Sequence, residues 1–258
     1  MLNEDLLRRA MRDADVPDAP AHYHPSIGST NATAMELAFE GAPEWTLVAA
    51  GHQTSGRGRL GRSWISEPGS SLLFSFVLRP QMEPERAPLL VLLAGVAMAD
   101  ACREAGKLVR CKWPNDLLLE EAKVGGILTE ASVSQGKVGP VVVGVGMNLG
   151  APPNDVAGAG ALGGVDDATL LTAFLGDFRQ QYQLRARTMA ADVLRRYRPL
   201  CTTLGRTVRA RTISGDEVEG VAEDLDVSGN LLVRSEGAPV TVSFGEVEHL
   251  SQAPHEDP

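Results

Sequence analysis

Residues 84 to 105 begin at a proline and run on through LLVLLAGVAMADACREA, a stretch with no polar face along its first three turns. Alanine and leucine dominate it and it outlasts an ordinary strand, so it reads as a helix. A helix that is apolar all round has to be buried. The neighbouring segments supply strands: 46–50 (TLVAA), 70–78 (SSLLFSFVL), 108–112, the LLL run after WPND, GGILTEASV, and 138–147 (VGPVVVGVGM). Further helices are expected at 3–13, at ATAMELAFE with Ser29 and Thr30 available as its cap, and at 168–185 and 188–198. The chain is therefore mixed α and β. Residues 150–167 are rich in Gly, Ala, Pro and Asp and read as a surface loop.

Past 199–204 the pattern changes. TVRARTI, DEVEGVAEDLD, NLLVRSE and PVTVSFGEVEHL are short strand-like pieces between Gly, Asp and Asn turns. They suggest a small barrel, with a boundary near Thr203. No internal repeat is visible.

The 258 residues carry Lys+Arg 24 against Asp+Glu 33, a net charge of -9. That balance argues against a protein that coats nucleic acid, yet it permits a local cationic pocket. Cys102, Cys111 and Cys201 form no CxxC pattern, so neither a zinc site nor a disulfide framework is implied. The polar start and the absence of a long apolar run make a cytoplasmic protein without membrane spans the expectation.

Against this acidic background, GHQTSGRGRLGRSW at 51–64 places Arg57, Arg59 and Arg62 among glycines. Glycines let a loop turn tightly and present backbone N–H groups, and the guanidinium fork matches carboxylate or phosphate. Anion binding is the favoured reading, beside a plain solvated loop and an RNA contact. The stretch is not a P-loop, because GRGRLG lacks the closing lysine and hydroxyl. Its glycines fit GxGxxG in spacing only, since a strand rather than a helix follows.

A second cluster, CKWPNDLLLEEAKVGGILTE at 111–130, holds Lys112, Asn115, Asp116 and Lys123 beside Gly125 and Gly126. A cation, an amide and a carboxylate around one turn suit phosphates, a magnesium ion or a ribose, although Asn-Asp after proline is also ordinary turn chemistry. Lys123 precedes two glycines and a strand, so its amine reads as inward-facing, with a surface lysine as the alternative. No histidine sits in a Ser-His-Asp or Cys-His arrangement. Electrostatics and positioning are then the available catalytic means. Attack of a bound carboxylate on the α-phosphate of ATP needs no more than that.

Taken together, GRGRLGRSW, KWPND, KVGGIL, STN at 29–31, HQT at 52–54 and GVGMNLG at 144–150 resemble the biotin protein ligases in their order along the chain. The resemblance implies an α+β fold. A mixed-sheet domain like the class II aminoacyl-tRNA synthetase core would occupy 1–202, a small SH3-like β-barrel 203–252 and a polar tail 253–258. It implies activation of biotin with ATP and Mg2+ to biotinoyl-5'-AMP, then transfer to one lysine of a biotin carboxyl carrier protein. By the same resemblance Ser29, Thr30 and Asn31 line the ureido end of biotin. Gln53, Gly56, Arg57, Gly58 and Arg59 close that pocket, and Gly126 and Gly144 allow close approach. Lys123 meets the carboxylate, Arg59 retains the adenylate, Arg62 binds triphosphate and Trp64 supports adenine. Asn115 and Asp116 face the phosphates and magnesium with Lys112 nearby, and Asn148 lies on the nucleotide side.

Two departures stand out. Leu60 occupies a position where some members carry a further arginine. STN is reached by residue 29, which leaves no room for a winged helix-turn-helix and favours a monofunctional enzyme, monomeric or homodimeric, that binds no DNA. A lipoate-protein ligase of the same fold is the rival reading, and a non-catalytic biotin sensor or an RNA-binding protein are more distant ones.

Overall fold

The computed structural model describes residues 2–153, 156–183, 186–211, 215–243 and 245–250. The expected polar tail, and parts of the segments expected around 154–155, 184–185, 212–213, 244 and 251–252, lie outside those residues. Five helices are described: α1 (Glu4–Asp13), α2 (Thr30–Phe39), α3 (Leu89–Glu104), α4 (Asp167–Tyr182) and α5 (Ala186–Tyr197). The larger sheet contains β1 (Ala21–His24), β2 (Leu47–Ala50), β3 (Ser71–Leu78), β4 (Val109–Lys112), β5 (Asp116–Leu119), β6 (Ala122–Ser134) and β7 (Lys137–Asn148). Its order is β1-β2-β3-β7-β6-β5-β4, and only the β1–β2 pair is parallel.

The long apolar run is a buried helix, α3, enclosed from Leu89 to Ala99. Period-two alternation in β3 sends Leu72, Phe74, Phe76 and Leu78 into the core around it. There Phe74 and Phe76 meet Phe174 edge-on, with ring centroids 5.2 and 6.1 Å away, and Trp45 stacks on Phe76 at 5.7 Å. The alternate residues face the opposite side. Val77, with Val48 and Val142, packs beneath Ala34 and Ala38 of α2. Ser75 interrupts this second apolar face, and the cavity described below opens beside it. The strand Ala21–His24 has no counterpart among the sequence expectations; AHYH is short, follows a proline and offers no alternation.

The C-terminal segments form a second sheet of β8 (Thr207–Arg211), β9 (Glu217–Leu225), β10 (Leu231–Arg234), β11 (Pro239–Val242) and β12 (Glu246–His249). Its order, β11-β10-β9-β8-β12, leaves β11 and β12 on opposite edges, so the sheet is open and the expected SH3-like barrel is not formed. The physical reason lies in where its apolar face is buried. Val208, Ala210, Ala222, Leu231, Val233 and Val242 join the same core as α3, so the sheet covers that face by docking instead of closing on itself. The turn before β10 marks the docking point. A Cβ on Gly229 would lie 2.7 Å from Leu92 of α3, and the Gly229 carbonyl accepts a 3.0 Å hydrogen bond from Trp113 Nε1.

Candidate active site

A cavity of about 430 Å³ opens where α2, the Arg-Gly loop, the β4–β5 hairpin, β6, β7 and β12 converge. Its floor is built from residues without side chains. Gly126 of β6 lies directly opposite Gly146 of β7, and Gly144 lies opposite Leu128. Facing residues of an antiparallel pair point to one side, so these glycines open a trough in the sheet. Two side chains fill it. The Trp64 indole lies over Gly126 and Gly146, where added Cβ atoms would approach the ring to 3.1 and 2.6 Å. Asn31 occupies the space above Gly144, where a Cβ would fall 1.8 Å from its Oδ1.

Asn31 is held from three sides. Its Nδ2 donates to the Leu128 carbonyl at 3.2 Å and to Glu130 Oε2 at 2.9 Å, and its Oδ1 accepts from Ser75 Oγ at 2.6 Å. Ser29 caps α2 by accepting from the Ala32 amide, which fixes Thr30 and Asn31 on the first turn. Gln53 Oε1 accepts from both the amide and the hydroxyl of Thr30, at 2.8 and 3.1 Å.

The Arg-Gly loop folds back on itself. Gly58 N donates to Arg62 O at 2.7 Å and Trp64 N to Gly56 O at 2.9 Å. Gly56 does not line the cavity. A Cβ there would meet Trp64 O at 2.5 Å, so its bareness lets the two limbs of the loop close. Leu60 adopts a left-handed conformation (φ 54°) that costs a branched residue more than it costs glycine. Arg59 Nη1 donates to Asn115 Oδ1 and to the Gly245 carbonyl at 3.4 and 3.3 Å, and Arg62 pairs with Glu246. Burial lowers the Arg59 pKa from its ordinary value. Asp116 and Glu246 oppose that shift and Arg62 adds to it.

On the far wall, Lys112 pairs across the β4–β5 hairpin with Asp116. Asn115 braces the hairpin against β6, its Nδ2 reaching Ile127 O at 3.0 Å. Lys123 Nζ lies 2.6 Å from Asp116 Oδ1 and 5.9 Å from the Trp64 ring centroid. The cavity thus carries Arg57, Arg59, Arg62, Lys112 and Lys123 and the Trp64 ring together with the side-chain amides of Asn31, Gln53 and Asn115. Such a place suits a carboxylate or phosphate joined to a compact polar headgroup. Trp64 Nε1, buried without a partner among the described residues, is one donor left for a ligand.

Of the residues that the resemblance assigns to biotin or nucleotide, all but Gly56 and Asn148 line this cavity. Asn148 is buried instead at the end of β7. It accepts from Ser71 Oγ at 3.2 Å and donates to Gly160 O at 3.0 Å, tying the following loop to the sheet. Ser75, Glu130, Gly146 and Glu246 were not anticipated. Ser75 is the polar break in SSLLFSFVL, Gly146 falls within GVGMNLG and Glu130 closes the 111–130 cluster, but none of them stands out by residue type.

Comparison with known proteins gives the family. Residues 23–148 match the biotin/lipoate A/B protein ligase family and residues 203–250 the biotin protein ligase C terminal domain. The biotin–[acetyl-CoA-carboxylase] ligase of Paracoccus denitrificans is 34% identical over 234 residues, covering 85% of this chain and 96% of the relative. The chain belongs to the biotin protein ligase family. The bifunctional ligase/repressor BirA of Bacillus subtilis is 33% identical over 237 residues, covering 88% of this chain and 73% of that protein. In fold, the chain resembles the biotin protein ligase from Aquifex aeolicus in complex with biotin and ATP. The TM-score is 0.70 at 23% identity, over 90% of this chain and 99% of the other. This biotin protein ligase places its Arg-Gly loop against both the β4–β5 hairpin and the C-terminal sheet, through Arg59 and Arg62.

Proposed function

We propose how this cavity carries out the ligase reaction, and which residue does what. The enzyme activates biotin with ATP and transfers it to a lysine of a biotin carboxyl carrier protein. In the first step a biotin carboxylate oxygen attacks the α-phosphorus, the Pα–O bond to the β-phosphate breaks, and pyrophosphate leaves with its electron pair. In the second, a neutral lysine amine attacks the acyl carbon and AMP departs. Both steps build charge on phosphate oxygens, and fixed cations lower their barriers.

The single observation that carries the reading is the position of Lys123 in the cavity, beside Asp116 and near the Trp64 ring. There its ammonium meets the biotin carboxylate and afterwards the acyl-phosphate. Gln53 spends its carbonyl on Thr30, so its NH2 serves the ureido carbonyl, with Ser29 and Thr30 alongside. Asn31 shapes that end and Gly144 makes room for Asn31. Arg57 and Gly58 close the loop over biotin and Arg59 retains the adenylate. Arg62 and Lys112 take the triphosphate, and Trp64 flanks the adenine.

Magnesium enters as part of the nucleotide substrate. Among the described residues no three His, Cys, Asp or Glu side chains cluster as a metal cage. An ion already held by phosphate oxygens needs only one or two carboxylates. Asp116, with Asn115 beside it, fits that lesser demand and would help orient the triphosphate. Among the described residues no helix is long and apolar enough to cross a membrane; a cytoplasmic location remains part of this proposal, as does a division into units at 1–202 and 203–252.

The test is ATP–pyrophosphate exchange with biotin, lipoate and octanoate supplied one at a time. Exchange only with biotin is the expected result. Exchange with lipoate instead would move the chain to the lipoate ligases, and none with any acid would overturn adenylation.

A further inference from the structure

Glu130 lies outside the cavity itself, behind Asn31, in a shallower recess under the Arg-Gly loop that shares part of the cavity's lining. On β6 the residues Gly126, Leu128 and Glu130 share one face by period-two alternation, so this carboxylate points to the same side as the glycine trough. Its two oxygens go to different elements. Oε2 accepts from Asn31 Nδ2 at 2.9 Å, and Oε1 lies 3.6 Å from Arg57 Nη1. Asn31 belongs to α2 and forms the wall at the headgroup end; Arg57 opens the Arg-Gly loop and is held to Ser63 on the loop's returning limb. One carboxylate therefore joins a fixed wall to a loop that has to open for substrate and close over an adenylate.

We infer that Glu130 is a positioning residue with two separable duties: it fixes the Asn31 carboxamide beneath biotin's headgroup, and it latches the Arg-Gly loop through Arg57. The inference rests on the biotin-ligase reading of the cavity. The two contacts differ in strength. Asn31 is buried, so an amide hydrogen left without an acceptor there carries a full desolvation cost. The Arg57 contact is longer and partly solvated, which makes it a weak latch, and a weak latch is what a loop that opens every turnover requires. Ser75 completes the design. It fixes the Asn31 carbonyl, so the side chain cannot rotate to compensate when Glu130 is changed.

Two substitutions separate the duties. Glu130→Gln keeps an oxygen for Asn31 and removes the charge that Arg57 faces. Glu130→Ala removes both. Each is assayed for biotin KM and kcat in ATP–pyrophosphate exchange, and for loss of the adenylate, read as biotin appearing on bystander lysines of an added unrelated protein. Thermal unfolding of each variant is followed alongside. The expected result is bystander labelling raised several-fold in both variants. The biotin KM should rise about tenfold in Glu130→Ala, with kcat less affected, and by distinctly less in Glu130→Gln. Wild-type behaviour of both variants would overturn the inference. So would an equal fall of kcat in both with a matching loss of melting temperature, which would mark Glu130 as a structural residue only. Absence of biotin-dependent exchange in the unmodified enzyme would instead overturn the ligase reading itself.

Discussion

Lys123 Nζ and Asp116 Oδ1 lie 2.6 Å apart on neighbouring strands, β6 and β5, at the centre of the cavity. Both side chains are partly solvated, and pairs of that kind contribute only about 0–1 kcal/mol. In the proposed reaction the pair can therefore exchange partners, Lys123 turning to the biotin carboxylate and Asp116 to the magnesium of ATP.

In the proposed reaction, truncation of Lys123 removes the cation at the reacting carboxylate. Lys123→Ala is expected to lower kcat/KM for adenylation by about 10²–10³-fold. Asp116→Asn should act differently, raising the magnesium concentration needed for half-maximal rate while biotin affinity is less affected. Pyrophosphate exchange at varied magnesium distinguishes the two. A Lys123→Ala enzyme within about threefold of wild type would remove Lys123 from the chemistry.

Arg59 joins three elements, since it lies on the loop and donates to Asn115 of the hairpin and to the Gly245 carbonyl preceding β12. Losing it should loosen the closed loop as well as remove a phosphate ligand. Arg59→Ala is expected to raise the ATP KM and to release activated biotin, costing roughly 3–4 kcal/mol of transition-state stabilisation. Mass spectrometry of an added bystander protein reads the release directly. Labelling confined to the carrier lysine would show that another group retains the adenylate.

The trough makes a steric forecast. A methyl at position 144 would overlap Asn31 Oδ1, and one at position 146 would press on the Trp64 indole. Overpacking of this kind costs about 1–3 kcal/mol, and here most of it falls on ligand-facing side chains. Gly144→Ala should raise the biotin KM and Gly146→Ala the ATP KM, each with a modest loss of melting temperature. Isothermal titration with biotin and with a non-hydrolysable ATP analogue separates them, and unchanged affinities in both would show that the trough relaxes freely.

These residues also mark what the sequence reveals and what it hides. The Arg-Gly loop, Lys112 to Asp116 and Lys123 are legible because charge and glycine are concentrated there against an acidic, apolar background. Helix α3 is legible because nothing else that apolar and that long forms in a folded interior. Glu130 and Glu246 are not legible, since an acidic residue in a strand looks the same in sequence whether it faces water or an arginine. The role of Gly144 depends on which side chain of α2 lies across it, a long-range fact absent from GVGMNLG. Openness of the C-terminal sheet is hidden for a related reason. Short strands and turns read alike in a barrel and in a sheet that buries one face against a neighbour, and only the docking of Gly229 on Leu92 decides between them.

His249, at the end of β12, ties this docking to pH. Its Nε2 lies 3.1 Å from Thr203 Oγ1, which also accepts from the Trp113 amide at 3.0 Å, so the imidazole is linked to the hairpin that carries Asn115 and Asp116. Burial lowers its pKa from 6.5 to about 4, helped by the charges of Lys112 and Arg206 and opposed by Glu121. The folded protein thus resists a proton that the unfolded chain accepts. Stability should be complete above pH 6.5, decline as the pH falls toward about 4, and stop declining from this source below that. Asp166 and Asp224, whose pKa values are lowered from 3.8, lose their contributions only at more acid pH, so they do not mask the window. His249→Gln keeps a neutral polar partner for Thr203 and removes the titration. Melting temperatures measured between about pH 7 and pH 4.5 should fall more steeply for wild type than for this variant. Parallel curves would show that the imidazole is solvated well enough to charge in place.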